Sequence, residues 1–183
     1  LGHITLAREA QEQCELATIK FIPCCQSPHK DQPSATADQR LAMLKLAIAD
    51  NLNFSVDERE LKRGGISYMV ETLQSLRQQI PNTPLCLIIS EDAFAKFNTW
   101  HKWQEIIDLA HLIVANRPNS RPFTEIVARL LKERQIFKAN KLQTTINGHI
   151  YLLNISPNYI SATEIRKSIK AGKNASNLVP AKV

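Results

Sequence analysis

Short apolar runs alternate with helical stretches along this chain, and that alternation limits the folds open to it. The runs are Ala17 to Ile22, Phe54 to Val56, Leu85 to Ile89, His111 to Ala115 and Ile150 to Ile155. Their length and β-branched content predict strands, and Pro23 stops the first. The segments between them repeat their apolar residues at helical spacing. One begins at Gly2-His3, with Ile4, Leu6, Ala7 and Ala10. Another covers Asp38 to Asp50, with Leu41, Leu44, Lys45 and Ile48 on one side. Ser67 is positioned to cap a helix over Tyr68 to Gln79. Further helices are predicted over Trp103 to Leu109, Phe123 to Arg134, and from Ser161 or Thr163 to Ala171. Strands alternating with amphipathic helices predict an α/β fold, a Rossmann-like parallel sheet flanked by helices, because parallel neighbours need a crossover.

With 183 residues and no repeat or linker, the chain reads as a single domain over 1–183. Its 44% hydrophobic content excludes a disordered chain. The longest clean apolar run, Leu85 to Ile89, is too short to span a bilayer, so no membrane partner is expected. Cys14, Cys24, Cys25 and Cys86 form no C-x-x-C pair and no zinc spacing, so they read as thiols of a reducing compartment and a cytoplasmic protein. The net charge of +6 fits a nucleic acid, a small phosphorylated substrate or simply a soluble basic surface. The charged stretch Asp57 to Gly65 reads as a solvated loop, and Lys132, Arg134, Lys138 and Lys141 as a solvated face. Trp103, in the aromatic cluster from Phe97, reads as core packing.

Three segments carry chemistry. Gly2-His3 opens a helix whose free amides and dipole attract phosphate. Ile160-Ser161-Ala162-Thr163-Glu164-Ile165-Arg166 offers two hydroxyls, new helix amides and a guanidinium fork, which suit an anion or simply cap a helix. Asp92 follows a strand's carboxyl end, where open α/β sheets bind ligands, though such acids also serve as caps.

Gly2-His3 and Ile160 to Arg166 together resemble the T/H-x-G-H and I-S-x-T-x-x-R motifs of a nucleotidyltransferase superfamily. Ile22-Pro23 with Pro28-His29-Lys30, then Asp57 to Arg63 with Ser67-Tyr68 and Thr72-Leu73, narrows the likeness. So do Ile88-Ile89 with Asp92, Phe97, Thr99-Trp100, Ala110 to Val114 and Arg117-Pro118. Most of the chain is similar to the nicotinate-nucleotide adenylyltransferase family of NAD biosynthesis.

The resemblance implies transfer of the adenylyl group of ATP to nicotinate mononucleotide, giving deamido-NAD and pyrophosphate. His3 and Arg166 would be catalytic, neutralising charge at the α-phosphate. Gly2, Ile160, Ser161 and Thr163 would hold the triphosphate, Asp92 the ribose, and Arg117 would lie near the adenine. His29 and Lys30 would meet the mononucleotide phosphate. Ser67, Tyr68, Thr72, Trp100 and the backbone at His101 would surround the nicotinate end. Magnesium would arrive with ATP, no protein metal site is implied, and an oligomer is possible. Met69, Ser90, Asn116 and Asn119 depart from the family pattern. The family's first strand and its C-terminal tail have no counterpart here, so the chain is expected to be part of a longer protein. The alternatives are nicotinamide mononucleotide or phosphopantetheine as acceptor, or a non-enzymatic RNA-binding domain, although no RNA-recognition signature is present.

Overall fold

The computed structural model describes residues 2–28, 35–116, 122–155, 165, 171–172 and 180. Strands β1 (Ile19–Phe21) and β2 (Phe54–Val56) pair in parallel, Ile19 opposite Phe54. Strands β3 (Cys86–Ser90), β4 (His111–Ala115), β5 (Gln135–Ile136) and β6 (Ile150–Leu153) form a second parallel sheet in the order β3-β4-β6-β5. Helices α1 (Gly2–Gln13), α2 (Ala37–Ile48), α3 (Arg59–Arg63), α4 (Met69–Gln79), α5 (Glu91–Phe94), α6 (Trp103–Ile107) and α7 (Glu125–Arg134) connect and cover them. The fold class is the expected one. The helix expected after Ile160 lies outside the described residues.

Strand β4 explains the layering. All five of its residues are buried, as its unbroken apolar run requires. Leu112 and Val114 join a core with Val70, Leu73, Phe94, Phe97 and Ile106. Ile113 points the other way, into a core with Ala10, Cys14, Leu142 and Leu153. Successive side chains on a strand face opposite ways, so helices must cover both faces of this sheet. Ala7 carries α1 on to a third core with Ile19, Ile48 and Phe54.

At the amino ends of the strands, Arg77 of α4 gathers backbone carbonyls. Its Nη1 donates to Ile80, Pro81 and Thr83 at 3.1, 3.3 and 2.7 Å. Its Nη2 donates to Leu109 and Ile146 at 2.5 and 3.0 Å. Beside it, the buried His111 ring stacks on His149 with centroids 5.2 Å apart. His149 N donates to His111 Nδ1 at 3.0 Å, and Nε2 lies 2.9 Å from the Thr145 carbonyl. This end holds the sheet together and leaves the carboxyl ends for a site.

Several local expectations are corrected. Thr36 caps α2 in a capping box with Gln39, so the helix starts before Asp38. Lys45 does not face the core: it is exposed and reaches Glu58 at 2.6 Å. Ser67 does not cap α4; Tyr68 occupies that position without a side-chain bond. The stretch from Asp57 is no solvated loop either. It folds as α3, with Asp57 Oδ2 accepting from Arg59 Nη2 at 2.7 Å and Glu60 only 3% exposed. Arg59 also donates to Ser75 and Gln79, which fastens α3 to α4. Paired charges can enter an interior that single ones cannot. Gly64 and Gly65 then turn the chain at φ of +72° and +66°, which glycine adopts without strain.

Candidate active site

Ser90 closes β3 and caps α5, its hydroxyl accepting from Ala93 N at 3.3 Å. That use turns its side chain toward the helix amides. The cap role left open for Asp92 therefore falls to Ser90. Ser90 is the cap, and Asp92 stands exposed in the first turn beyond the carboxyl end of β3.

Asn116 follows β4. Its Oδ1 accepts from Ile155 N at 2.9 Å, and its Nδ2 donates to Asn154 Oδ1 at 2.9 Å. Gln13 of α1 donates to the Asn154 carbonyl at 3.0 Å. The polar group that departs from the family pattern at 116 thus ties together the carboxyl ends of β4 and β6. The chain continues from these ends toward Arg117 and Ile160.

An aromatic wall stands nearby in the fold. Tyr68 begins α4, and its ring lies 4.5 Å from that of His101, tilted by 41°. Trp100 packs on Phe97 at 5.6 Å, and Phe97 is fully buried. Tyr68 and Trp100 are both half-buried against the main core, while His101 is exposed. Lys102 turns the chain sharply with φ of +50°, a left-handed conformation that costs about 1 kcal/mol for a residue with a Cβ. A rigid ring edge with polar tips suits a flat heteroaromatic ligand. Trp103 packs on Phe97 at 5.9 Å, as core packing predicts.

Two expected contacts sit deeper than the surface. The Ser67 hydroxyl accepts from Cys25 N at 3.0 Å, and the residue is 8% exposed. Thr72 is fully buried and donates to Glu60 Oε1 at 2.6 Å. Arg63 Nη2 donates to Thr72 Oγ1 at 3.3 Å, and its Nε lies 3.5 Å from Glu71. Glu60 and Arg63 were not expected in this region.

Gly2 and His3 occupy the first turn of α1, with His3 exposed. The next residue, Ile4, packs on the core of Ile19, Ile48 and Phe54. His29, Lys30, Arg117, Ile160, Ser161, Thr163 and Arg166 lie outside the described residues.

Nucleophilic catalysis by a thiol has no support here. Burial pushes Cys14 up to about 11 and Cys86 up to about 12. Burial also raises Cys24, more than its hydrogen bond with Ser67 lowers it. All four cysteines are free thiols. With their pKa raised by burial, Cys14, Cys24 and Cys86 carry almost no thiolate at neutral pH. Among the described residues, no three His, Cys, Asp or Glu side chains cluster as a metal cage. No helix among them is long and apolar enough to cross a membrane.

Residues 1–168 match a family described as Cytidylyltransferase-like. An Aeromonas salmonicida protein named "Probable nicotinate-nucleotide adenylyltransferase" is 41% identical over 184 residues, covering 100% of this chain and 86% of the relative. One of the same name from Methylococcus capsulatus is 40% identical over 181 residues, covering 98% of this chain and 86% of the relative. Among solved structures, Plasmodium falciparum nicotinic acid mononucleotide adenylyltransferase complexed with NaAD superposes with a TM-score of 0.67 at 14% identity. That match covers 97% of this chain and 80% of the neighbour. The same protein complexed with APC gives 0.66 at 13% identity, covering 96% of this chain and 80% of the neighbour. At such identity the two structures speak for the fold alone.

Proposed function

This chain belongs to the nicotinate-nucleotide adenylyltransferase family, and we propose how its own residues carry that family's reaction. The adenylyl group of ATP passes to nicotinate mononucleotide. A phosphate oxygen of the mononucleotide attacks the α-phosphorus of ATP. The bond from that phosphorus to the bridging oxygen of the β-phosphate breaks, and pyrophosphate leaves with the electron pair. No protein nucleophile is needed. Positioning and charge neutralisation carry the rate.

In this scheme His3 and Arg166 face the developing charge at the α-phosphate. Gly2, Ile160, Ser161 and Thr163 hold the triphosphate, and Arg117 lies at the adenine end. Asp92 accepts hydrogen bonds from the ribose hydroxyls, work suited to an exposed carboxylate past a strand end. His29 and Lys30 take the acceptor phosphate. Tyr68 and Trp100 frame the nicotinate ring, and the backbone at His101 takes its carboxylate. Ser67 and Thr72 serve the same pocket from behind, through Cys25 and Glu60. Magnesium would come with ATP and be held by phosphates and water.

The observation that carries this reading is the Tyr68–His101 contact, at 4.5 Å, beside Trp100 and in a fold with Asp92 beyond β3. The test is pyrophosphate release by the purified full-length protein with ATP-magnesium. Nicotinate mononucleotide and nicotinamide mononucleotide are supplied in parallel. Preferential turnover of the nicotinate form is expected. Turnover of the amide alone would change the acceptor and the role of His101. No turnover of either would overturn the assignment of these residues.

A further inference from the structure

Arg40 lies on α2 in register with Leu44 and Ile48, which pack into the core beneath β1 and β2. A guanidinium at a core-facing position needs partners, and it finds them in the loop after β1. Nη1 donates to the Cys24 carbonyl at 2.6 Å, and Nη2 donates to the Cys25 carbonyl at 3.2 Å. Cys25 and the next residue, Gln26, are also held by the segment before α4. Cys25 N donates to Ser67 Oγ at 3.0 Å, and Ser67 N donates to the Gln26 carbonyl at 2.9 Å. Gln26 and Ile66 pair as an isolated parallel bridge. The backbone of residues 24–26 is therefore clamped between α2 and the segment that leads into Tyr68. Only Ser27 and Pro28 separate the clamp from His29 and Lys30 in sequence.

We propose that Arg40 is a positioning residue for the acceptor. With Ser67, it fixes the loop after β1 against the segment that leads into Tyr68, the acceptor side of the proposed site. This inference rests on the proposed function for Ser67 and Tyr68. The residue type fits the task. A planar fork presents two donors in fixed geometry to two successive carbonyls, where an ammonium is a compact charge on a flexible stem. Both carbonyls lie in a partly buried loop, and loss of the fork is expected to let that loop shift its register. Small displacements of a substrate-holding group cost catalysis heavily.

The experiment measures KM separately for ATP and for nicotinate mononucleotide in the full-length protein, with thermal melting alongside. Arg40→Met is expected to raise the acceptor KM about tenfold, the equivalent of one charge-assisted hydrogen bond, and to change the ATP KM less than about twofold. Arg40→Lys should recover part of the loss. Ser67→Ala, acting on the other side of the clamp, should move the same KM in the same direction. It carries the test if the Met variant does not fold. Equal changes in both KM values, or no change in either, would overturn the proposal and leave Arg40 a structural residue. Wild-type turnover of nicotinate mononucleotide is the internal control. Its absence would fault the proposed function instead.

Discussion

Thr72→Val separates substrate contact from support at a single hydroxyl. Thr72 is fully buried, and its Oγ1 donates to Glu60 at 2.6 Å while accepting from Arg63 at 3.3 Å. Valine keeps the shape and removes the donor. A hydrogen bond to a charged group contributes about 1.5–3 kcal/mol, and the carboxylate left behind is only 3% exposed. The added methyl returns about 0.8 kcal/mol of burial. The net loss is then about 1–2 kcal/mol. For a chain of this size each kcal/mol moves Tm by about 2–4 °C, so a fall of about 2–8 °C is expected. Thr72→Ser should keep the hydrogen bond and lose only the methyl contact. Calorimetry gives the Tm, and steady-state kinetics well below it should show an acceptor KM within about threefold of wild type. The refuting result is an unchanged Tm with an acceptor KM raised about tenfold. That pair would mean the hydroxyl reaches substrate and the burial is not that of the working enzyme. A cycle with Glu60→Gln adds a second check, since two residues in direct contact must show coupling.

Three further outcomes are expected. Arg77→Met should lower Tm by about 4–16 °C, from about 2–4 kcal/mol for the two part-buried carbonyls at Ile80 and Leu109, with kcat unchanged; a shift below about 2 °C would mean that water replaces the guanidinium. Burial first, then the charges of His149 and Arg77, hold His111 below its ordinary 6.5 despite its bond to Thr145. Its folded pKa is depressed, so its contribution is complete above 6.5 and falls by up to about 1.4 kcal/mol per pH unit below it. Wild type should therefore lose Tm between about pH 6.5 and 5 more steeply than His111→Asn does, and parallel profiles would exclude His111 as the cause. Asp57 confuses nothing in that window: burial raises its pKa but its bonds to Arg59 lower it more, so its contribution is lost only as pH falls below 3.8. Arg166→Ala should reduce kcat by about 100-fold or more while Tm moves little, and equal kcat would remove Arg166 from the site.

The apolar pattern was legible wherever burial is continuous. His111 to Ala115 is a strand over the expected residues because both its faces are covered. Strand β3 begins and ends one residue later than its apolar run, since Ser90 pairs with Ala115 as well as capping α5. Strand β5 carries no pattern of its own. Gln135 and Ile136 become a strand because Ile150 and Tyr151 lie alongside. Asp92, Tyr68, Trp100 and His101 were singled out through motif likeness. Physics alone pointed to Asp92 and left its role divided between ligand and cap.

Polar residues inside the fold were least legible, and for one reason. Periodicity tells which face of an element is buried but not which buried polar groups have partners. A charge in a core register was read as solvated at Glu60 and Arg59, and Lys45 was read as facing inward when it reaches out to Glu58. Buried polar groups must be hydrogen-bonded, so a charge that truly occupies a core position implies a specific partner elsewhere in the chain. Arg40 meets it at Nη1 and Nη2 through the Cys24 and Cys25 carbonyls, though its Nε is buried without a partner; Glu60 meets it through Thr72, and Ser67 through Cys25. The Glu60 and Ser67 partnerships join α3 and the loop after β1 to the start of α4, and the Arg40 partnership joins that loop to α2. The polar groups that break the apolar pattern therefore converge on one side of the fold, the side that carries Tyr68 and precedes His29 and Lys30. A core built only from apolar contacts would tolerate small slips in that region. Directional bonds do not, and a pocket that must align one phosphate with another needs that rigidity.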